Sequence, residues 1–310
     1  MRSLIIGAAG FVGYYLANEL LNNGDEVYCT KLNHEKIDNS KAKVVDLDIC
    51  DAMAVKTVLA EVKPEAIYHL AAQSSVALSW KRPALTAQIN IVGTINVLEA
   101  AREIVPEARI LLVGSSEEYG PINLDRQIKE DDISNPKNIY ALTKLSVEHL
   151  GKMYAQAYKM NIFMTRSFNH IGPRQIPQFV VADFASQVAK IEAGEQEPII
   201  RVGNLESYRD FTDVRDIVCA YRIIVNKSQT GEVYNVGSGH AIKIRDILDL
   251  LLSESKVKIS VEIDKSRFRP IDIKKIEANV SKSESLGWTR RYAIKDTIID
   301  VLNYFRKQYE

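Results

Sequence analysis

The sequence predicts an α/β fold in which a doubly wound, mostly parallel sheet is followed by a smaller mixed α/β unit. Through the first half of the chain, apolar runs of four to six residues alternate with longer amphipathic stretches. Alternation of strands and helices is typical of parallel sheets with helices on both faces. After about residue 170 the predicted elements become shorter, with Gly, Pro and Arg between them, which indicates the second, smaller unit.

The individual elements follow from local signals. The predicted strands are the apolar runs at residues 3–7, 26–30, 43–46, 66–70, 109–114 and 162–166. Amphipathic stretches with helical spacing lie at residues 54–62, 84–104 and 140–158. Asp51 is a predicted N-cap, and "NNG" at residues 22–24 predicts the end of the first helix.

The domain organisation includes a late return to the first sheet. Residues 216–225 and 232–238 again resemble a helix followed by a strand, so we expect them to rejoin that sheet. The first domain is predicted at 1–168 plus about 211–238, and the second at about 169–210 and 239–310. Because no linker, internal repeat or low-complexity segment separates them, we expect a cleft between closely packed domains.

The composition limits the kind of partner. A chain of 310 residues with 46% hydrophobic content can bury a substantial core. Forty basic residues balance forty acidic ones, and no Lys/Arg-rich run is interleaved with aromatic residues. Neither nucleic acid nor an anionic membrane is therefore expected as a partner. We expect a small molecule instead.

The cysteines and the N-terminal segment bear on the compartment. Cys29, Cys50 and Cys219 are far apart and form no C-x-x-C pair, which favours reduced thiols in the cytoplasm over disulfides or a metal site. The apolar start of the chain has a single Arg and is interrupted by Asn18 and Glu19. We therefore expect it to be part of the fold and not a signal peptide, and no stretch predicts a membrane span.

A glycine-rich turn directly follows the first predicted strand. Gly7, Gly10 and Gly13 in "GAAGFVG" allow a sharp turn and a close approach of backbone amides to a pyrophosphate. The pyrophosphate is expected at the positive end of the helix that begins near residue 11. A bare G-x-x-G-x-x-G pattern is weak, but its position in the first βα unit predicts a dinucleotide-binding fold.

The end of the second strand bears on the choice of dinucleotide. An acidic side chain there favours NAD(H), because it binds the ribose 2′-hydroxyl and repels a 2′-phosphate. Here Thr30 and Lys31 offer a hydroxyl and a cation instead. NADP(H) is therefore favoured and NAD(H) remains possible, with a solvated surface lysine as the alternative for Lys31.

Tyr140 and Lys144 stand four residues apart in a predicted helix, so both side chains lie on one face. An unperturbed tyrosine, with a pKa near about 10, is a reluctant base, and a neighbouring ammonium favours the phenolate. Ser115 follows the strand at 109–114 and is expected at the carboxyl edge of the sheet, where it can hold a substrate oxygen. The alternative is a serine that only stabilises a tight turn.

Together these motifs resemble the extended short-chain dehydrogenase/reductase family over essentially the full chain. The resemblance rests on the glycine turn, "LAAQSS" after the fourth strand, Asn90 in "NIVGT", "GSSEEYG" and the Tyr140/Lys144 pair. More narrowly, "TRSFNHIGPRQ", "VGNLESYRDFTDVRD" and "RPID" are similar to enzymes that modify the hexose of GDP-sugars. A Rossmann-type cofactor domain and a nucleotide-sugar domain are implied.

The resemblance also implies a set of site residues. The expected cofactor-binding residues are Gly7, Gly10, Phe11, Val12, Gly13, Lys31, Asp48, Ile49, Leu70, Ala71, Ala72, Asn90, Tyr140, Lys144 and Phe168. The expected substrate-binding residues are Ser75, Ser116, Asn169, Arg209, Arg269 and Asp272. Arginine suits a diphosphate because its planar fork binds phosphate in a bidentate way, although Arg209–Asp210 and Arg215–Asp216 are alternatively ordinary surface pairs.

Two reactions are compatible with this resemblance. The expected one is NAD(P)H-dependent reduction of the 4-keto group of GDP-4-keto-6-deoxy-D-mannose to GDP-D-rhamnose, with Ser115, Tyr140 and Lys144 as catalytic residues. The alternative is 4,6-dehydration of GDP-mannose, which needs the additional carboxylate that Glu117 supplies. Ser115 in place of threonine, the "NHIGP" wording and a short loop after the second strand favour the reductase.

Two further expectations concern assembly and a non-enzymatic role. The resemblance implies a homodimer formed through the helix that carries Tyr140 and the helix before it. A non-catalytic sensor that binds NADP is a remote alternative, because such a protein does not need the Ser115, Tyr140 and Lys144 side chains that this chain retains.

Overall fold

The structure is a computed structural model, and it describes residues 1–122, 126–268 and 274–309. Within these ranges the strands are β1 (Arg2–Ile6), β2 (Glu26–Lys31), β3 (Lys43–Asp46), β4 (Ala66–His69), β5 (Arg109–Ser115), β6 (Asn161–Ser167), β7 (Asn169–Ile171), β8 (Ile199–Val202), β9 (Tyr208–Asp213), β10 (Val233–Val236), β11 (Ala241–Lys243), β12 (Ser260–Ile263) and β13 (Lys275–Ile276).

The α-helices in the same part of the chain are α1 (Phe11–Asn22), α2 (Ala52–Val62), α3 (Val76–Lys81), α4 (Pro83–Ala87), α5 (Gly93–Ile104), α6 (Ile139–Tyr158), α7 (Val180–Glu192), α8 (Val214–Lys227), α9 (Ile244–Ser253), α10 (Ser281–Ser285) and α11 (Ile294–Tyr309). A π-helical segment, Gln88–Val92, joins α4 to α5, and short 3-10 turns lie at Ser116–Tyr119 and Lys265–Arg267.

The main sheet has seven strands in the order β10-β6-β5-β4-β1-β2-β3, and every neighbouring pair is parallel. From β1 the chain first proceeds outward through β2 and β3, and it then crosses back to build β4, β5 and β6 on the other side. The strand order therefore reverses between β1 and β4, which is where doubly wound sheets open a ligand crevice at their carboxyl ends. The predicted fold class is confirmed.

The predicted local signals have clear physical counterparts. Asp51 caps α2, because its side chain accepts hydrogen bonds from the amides of Met53 and Ala54 at 2.9 and 3.0 Å. Helix α1 ends at Asn22, and the following Gly24 adopts a positive φ of 84°. Both features satisfy or redirect backbone groups that a helix end leaves without partners.

Apolar side chains form a core on each face of the main sheet. One face packs under α1 and α8 around Leu16, Phe163 and Tyr221, and the other packs under α2, α5 and α6 around Ile67, Val97 and Ile162. As predicted, β10 pairs with β6 and so rejoins the first sheet from late in the chain.

The second unit has a separate core. Helices α7, α9 and α11 pack together around Val188, Leu248 and Leu302. Strand β9 pairs with β7, β11 and β13, and β8 pairs with β12. The exact domain boundaries given above stay a prediction. Among the residues that the structure describes, no helix is both long and apolar enough to span a membrane.

Candidate active site

A large cleft, with a volume of about 1750 Å³, runs along the carboxyl ends of the main sheet. One wall comes from the ends of β1, β2, β4, β5 and β6, and the other comes from α7, β9 and the segment before residue 269. This position is the ligand crevice that the strand order predicts, and its size suits a dinucleotide together with a second ligand.

The glycine turn forms one end of the cleft. Gly7 has a φ of 86°, and a Cβ atom there would lie 2.6 Å from the Cα of Ala71. A Cβ atom on Gly13 would lie 2.3 Å from the backbone oxygen of Ala8. The turn can therefore pack this tightly only with glycine at both positions.

Helix α1 begins directly after the turn and points its first residues into the cleft. Its N-cap is Gly10, which has no side chain to cap the first amides. Phe11, Val12 and Gly13 line the cleft. Backbone amides and the positive end of the helix thus face the space where a pyrophosphate is expected. The residues present fit a dinucleotide cofactor.

At the end of β2, Thr30 forms a contact that the sequence did not predict. Its side chain is buried, and Oγ1 accepts a hydrogen bond from the Gly7 amide at 3.1 Å. Thr30 therefore helps to hold the glycine turn through its oxygen, and it also lines the cleft. Lys31 lines the cleft and forms an ion pair with Asp46, while Glu35 accepts a hydrogen bond from the Leu32 amide at 2.8 Å. Lys31 is thus not the freely solvated lysine of the alternative interpretation.

The remaining predicted cofactor residues divide into two groups. Asp48, Ile49, Leu70, Ala71, Ala72 and Phe168 line the cleft. Asn90 does not line it: its Oδ1 accepts from the Gln73 amide at 2.8 Å, and its Nδ2 donates to Thr143 Oγ1 at 2.9 Å. Asn90 therefore joins the loop after β4 to α6, and its expected contact with the cofactor stays a prediction.

Tyr140, Lys144 and Ser115 all line the cleft. Helix α6 begins at Ile139 because the Asn138 side chain accepts from the Ala141 amide at 2.8 Å, which places Tyr140 in the first turn. Lys144 Nζ donates to the Val113 carbonyl at 2.7 Å and lies 6.0 Å from the centre of the Tyr140 ring. The three residues that the sequence analysis grouped together therefore lie in one site.

Burial dominates the acid–base properties of this group. It raises the pKa of Tyr140, and a hydrogen bond with the Ser115 side chain acts in the opposite direction. Burial also lowers the pKa of Lys144 to about 8, and the nearby Glu118 opposes that shift. Desolvation thus favours the neutral phenol in this arrangement, and the expected effect of Lys144 on Tyr140 stays a prediction.

Glu117 also faces the cleft, from the 3-10 turn after β5. Its Oε2 accepts a hydrogen bond from Asn138 Nδ2 at 3.0 Å. Asn138, which caps α6, therefore also orients the Glu117 carboxylate, the group that a dehydration reaction would require.

A buried charged cluster lies directly behind Ser115. Arg166 Nε and Nη2 donate to Glu148 at 2.7 and 2.9 Å, and Arg166 Nε lies 3.7 Å from Glu118 Oε2. Glu118 Oε1 accepts from the Ser115 amide at 2.7 Å. Burial and the negative charge of Glu148 raise the pKa of Glu118. The cluster thus fixes the end of β5 that carries Ser115.

Four of the six predicted substrate-binding residues, Ser75, Ser116, Asn169 and Arg209, line the cleft. Arg269 and Asp272 lie outside the described residues. Asp210 is fully buried and accepts hydrogen bonds from Ser238, Gly239 and Ala278, so the alternative of a surface Arg209–Asp210 pair is wrong. Arg215 pairs with Asp213 and Asp300, and not with Asp216.

Comparison with known proteins identifies the family of this chain. The GDP-mannose 4,6 dehydratase family matches residues 4–301. This chain belongs to that family of extended short-chain dehydrogenases/reductases. A GDP-6-deoxy-D-mannose reductase from Pseudomonas aeruginosa is 33% identical over 242 residues, which cover 77% of this chain and 80% of the relative.

Solved structures support the same assignment for this member of the GDP-mannose 4,6-dehydratase family. RMD from Pseudomonas aeruginosa in complex with NADPH is 28% identical with a TM-score of 0.86, covering 99% of this chain and 100% of that one. UDP-glucose 4-epimerase from Thermus thermophilus in complex with NAD is 27% identical with a TM-score of 0.90, covering 99% of each chain. The expectation of NADP(H), with NAD(H) possible, agrees with these neighbours.

Several residues that shape the site did not enter the sequence prediction. Asn138 forms hydrogen bonds with the Ala141 amide and with Glu117, and Glu118 accepts from the Ser115 amide. Arg166 and Glu148 pair with each other next to Glu118. One signal was available: an arginine within the apolar run 162–166 of a central strand needs a buried carboxylate partner. Which carboxylate it pairs with depends on the packing of α6 against β6.

Proposed function

We propose that this protein reduces the 4-keto group of GDP-4-keto-6-deoxy-D-mannose to give GDP-D-rhamnose, using NADPH in preference to NADH. The observation that carries the proposal is that Tyr140 shares the cleft with Ser115 and Lys144, and that desolvation raises the pKa of its phenol, which favours the protonated form. Ketone reduction needs a proton donor at the substrate oxygen, whereas a dehydratase must first remove a proton from the C4 hydroxyl. The Pseudomonas aeruginosa reductase relative and the NADPH complex support the same direction.

The residues of the cleft would divide the work as follows. The glycine turn and the start of α1 would hold the pyrophosphate, and a bound nicotinamide would supply the hydride for C4. Ser115 would orient the carbonyl, and Tyr140 would donate its phenolic proton to the oxygen of that carbonyl. Lys144, fixed by the Val113 carbonyl, would stabilise the phenolate that remains.

Dehydration of GDP-mannose is the second candidate, and one observation favours it. Glu117 lies in the cleft and is oriented by Asn138, so a carboxylate is present for elimination across C5 and C6. In the proposed reductase, Glu117 would instead bind a substrate hydroxyl. The non-catalytic sensor is disfavoured, because Ser115, Tyr140 and Lys144 converge in one site.

Two incubations separate these functions. Purified protein is mixed with GDP-mannose without added reductant, and separately with GDP-4-keto-6-deoxy-D-mannose and NADPH. Loss of NADPH absorbance with the keto sugar alone supports the reductase, whereas a keto sugar formed from GDP-mannose supports the dehydratase. Tyr140→Phe should lower kcat by about 10²- to 10⁴-fold in the active assay. Full turnover of that variant would contradict the proposed mechanism.

We also propose that the protein is a cytoplasmic homodimer. The surface around α5 and α6 exposes large apolar side chains, among them Val92 at 39%, Leu142 at 51% and Met153 at 63% of their area. Leu142 and Met153 lie on the same face of α6, as the helical spacing requires. Light scattering should give twice the monomer mass of 34.9 kDa, and Leu142→Glu should shift the protein toward that monomer mass.

A further inference from the structure

Two charged side chains hold the last residues of β5. Lys144 Nζ donates a hydrogen bond to the Val113 carbonyl at 2.7 Å, and Glu118 Oε1 accepts one from the Ser115 amide at 2.7 Å. In an extended strand, the carbonyl of one residue and the amide of the second residue after it point to the same edge. The Lys144 ammonium and the Glu118 carboxylate therefore lie along one edge of β5.

Both groups are removed from water. Only 7% of Lys144 and none of Glu118 is exposed. An isolated buried charge is costly, and an opposite charge nearby favours the ionised form of each group. Burial lowers the pKa of the Lys144 ammonium, and Glu118 acts against that shift. Glu118 thus supports the charged form of Lys144.

The Glu118 carboxylate has a cationic neighbour of its own. Arg166 Nε lies 3.7 Å from Glu118 Oε2. Burial and Glu148 raise the pKa of Glu118, whereas Arg166 and the backbone amide that donates to Glu118 act in the opposite direction. Lys152 Nζ lies 2.7 Å from Glu148 Oε1 and offsets part of the repulsion between the two carboxylates. These surroundings favour an ionised Glu118 beside Lys144.

Other titratable groups near Lys144 are less suited to this role. His69, at the end of β4, is buried, and its pKa is lowered to about 3, which keeps the ring neutral. Tyr140 is a phenol whose pKa is raised by burial. Glu117 faces the cleft, and Asn138 donates to its Oε2 at 3.0 Å. The carboxylate next to it in the chain is the one that is fully buried along the same strand edge as Lys144.

We propose that Glu118 is a positioning residue of this site, which fixes the Ser115 backbone and keeps Lys144 in its ammonium form. The inference deepens the proposed function and rests on it in one respect, because the ammonium stabilises the phenolate that Tyr140 leaves after it donates its proton. Ser115 orients the substrate carbonyl in the same reaction. One buried carboxylate therefore supports both side chains that act beside Tyr140.

Glu118→Gln separates the charge from the hydrogen bond. The glutamine keeps Oε1 as the acceptor for the Ser115 amide. Its amide nitrogen replaces Oε2, an oxygen that accepts no hydrogen bond within the described part of the chain. If Glu118 served only to hold the backbone, the titration of Lys144 would not change. Loss of the charge should instead make Lys144 lose its proton at lower pH.

The test follows Lys144 directly by ¹³C NMR of full-length protein whose lysines are labelled at Cε, with the Lys144 signal assigned by its absence in Lys144→Met. The wild-type titration midpoint is expected at about 8. In Glu118→Gln it should fall by roughly one pH unit, since a unit charge at this range interacts that strongly in a partly buried site. The value of kcat/KM for the keto sugar should then be about fivefold lower than wild type at pH 8 and nearly unchanged at pH 6.

Glu99→Gln is the control for loss of one carboxylate. Glu99 is 35% exposed on α5 and pairs with Arg102, so its removal should leave the Lys144 titration and the pH profile as in wild type. An unchanged Lys144 midpoint in folded Glu118→Gln would overturn the inference. A loss of kcat/KM that is equal at every pH would also overturn it, because that result indicates a structural role alone.

A reciprocal variant covers the case in which Glu118→Gln does not fold. Coupling between two sites is mutual, so Lys144→Met should make the Glu118 carboxyl group titrate at higher pH than in wild type, by about the same amount. The ¹³C signal of the carboxyl carbon in glutamate-labelled protein measures this change. A Glu118 midpoint that is the same with and without Lys144 would contradict the inference.

The inference and the proposed function can fail separately, because the NMR titrations need no substrate. A lower Lys144 midpoint in Glu118→Gln, without any reduction of the keto sugar by wild type, would remove the proposed reaction and leave the pairing of the two charges intact. Reduction of the keto sugar together with an unchanged Lys144 midpoint would do the opposite.

Discussion

Replacing Arg166 by methionine is expected to destabilise the protein strongly, because the arginine compensates two buried carboxylates. Its side chain is 5% exposed, Glu148 is 2% exposed and Glu118 is fully buried. Arg166→Met retains much of the apolar volume but removes the cation that the two carboxylates share, so that Glu148 keeps only the half-exposed Lys152 at 2.7 Å. Breaking a buried ion pair in this way costs about 3–5 kcal/mol of the free energy of unfolding.

Urea unfolding at constant pH measures this loss. The matched control is Arg102→Met, which removes an arginine that pairs with Glu99 at 2.7 Å on the surface, where the side chains are 34% and 35% exposed. That change should cost about 0–1 kcal/mol. Adding Glu148→Gln to Arg166→Met should recover part of the loss, since one of the two neighbouring carboxylates is then replaced by a neutral amide.

The pH dependence provides a second and independent test. Without the cation, burial and mutual repulsion raise the pKa of the two carboxylates above their values in the unfolded chain, as burial and Glu148 already do for Glu118. The folded state then binds more protons than the unfolded state, so its stability falls as the pH rises. The deficit of Arg166→Met relative to wild type should be larger at pH 8 than at pH 5. A deficit no larger than that of Arg102→Met, or one independent of pH, would refute the reasoning.

Three other outcomes are expected. Gly7→Ala should abolish NADPH binding and lower the free energy of unfolding by about 1–3 kcal/mol, because Gly7 has a φ of 86° and the new Cβ would lie 2.6 Å from Ala71 Cα. NADPH fluorescence titration measures the binding and thermal unfolding measures the stability, and normal NADPH binding would contradict the prediction. Asp51→Ala should cost about 1 kcal/mol in urea unfolding through loss of the α2 cap, and no change would contradict it. Because burial lowers the pKa of Lys144 to about 8, kcat/KM for the keto sugar should decline as the pH rises through about 8, whereas a flat profile above that pH would count against an essential ammonium.

Local sequence signals predicted most of the main sheet. Its strands are short apolar runs between turn residues, and the Asp51 cap and the Gly24 stop depend on neighbours in the chain. The Tyr140/Lys144 pair could also be predicted, because helical spacing alone places both side chains on one face. The late return of residues 232–238 followed from the same helix-then-strand pattern.

Other features depended on contacts between distant segments. Thr30 was considered only as a cofactor contact, and its oxygen also accepts a hydrogen bond from the Gly7 amide. Asn90 lies in a π-helical segment and forms hydrogen bonds to Gln73 and Thr143, which the sequence pattern did not predict. Tertiary packing decides which of two partners a polar group bonds to, and the spacing of residues along the chain does not predict that choice.

Strand β10 has a consequence for how the chain must be made. It completes the main sheet beside β6, yet residues 233–236 leave the ribosome only after β7, β8 and β9 have been synthesised. Until then β6 is an edge strand whose backbone groups can pair with another nascent chain. Truncations that end before residue 233 are therefore expected to aggregate during expression, and full-length protein synthesised slowly should depend on chaperones more than protein synthesised quickly.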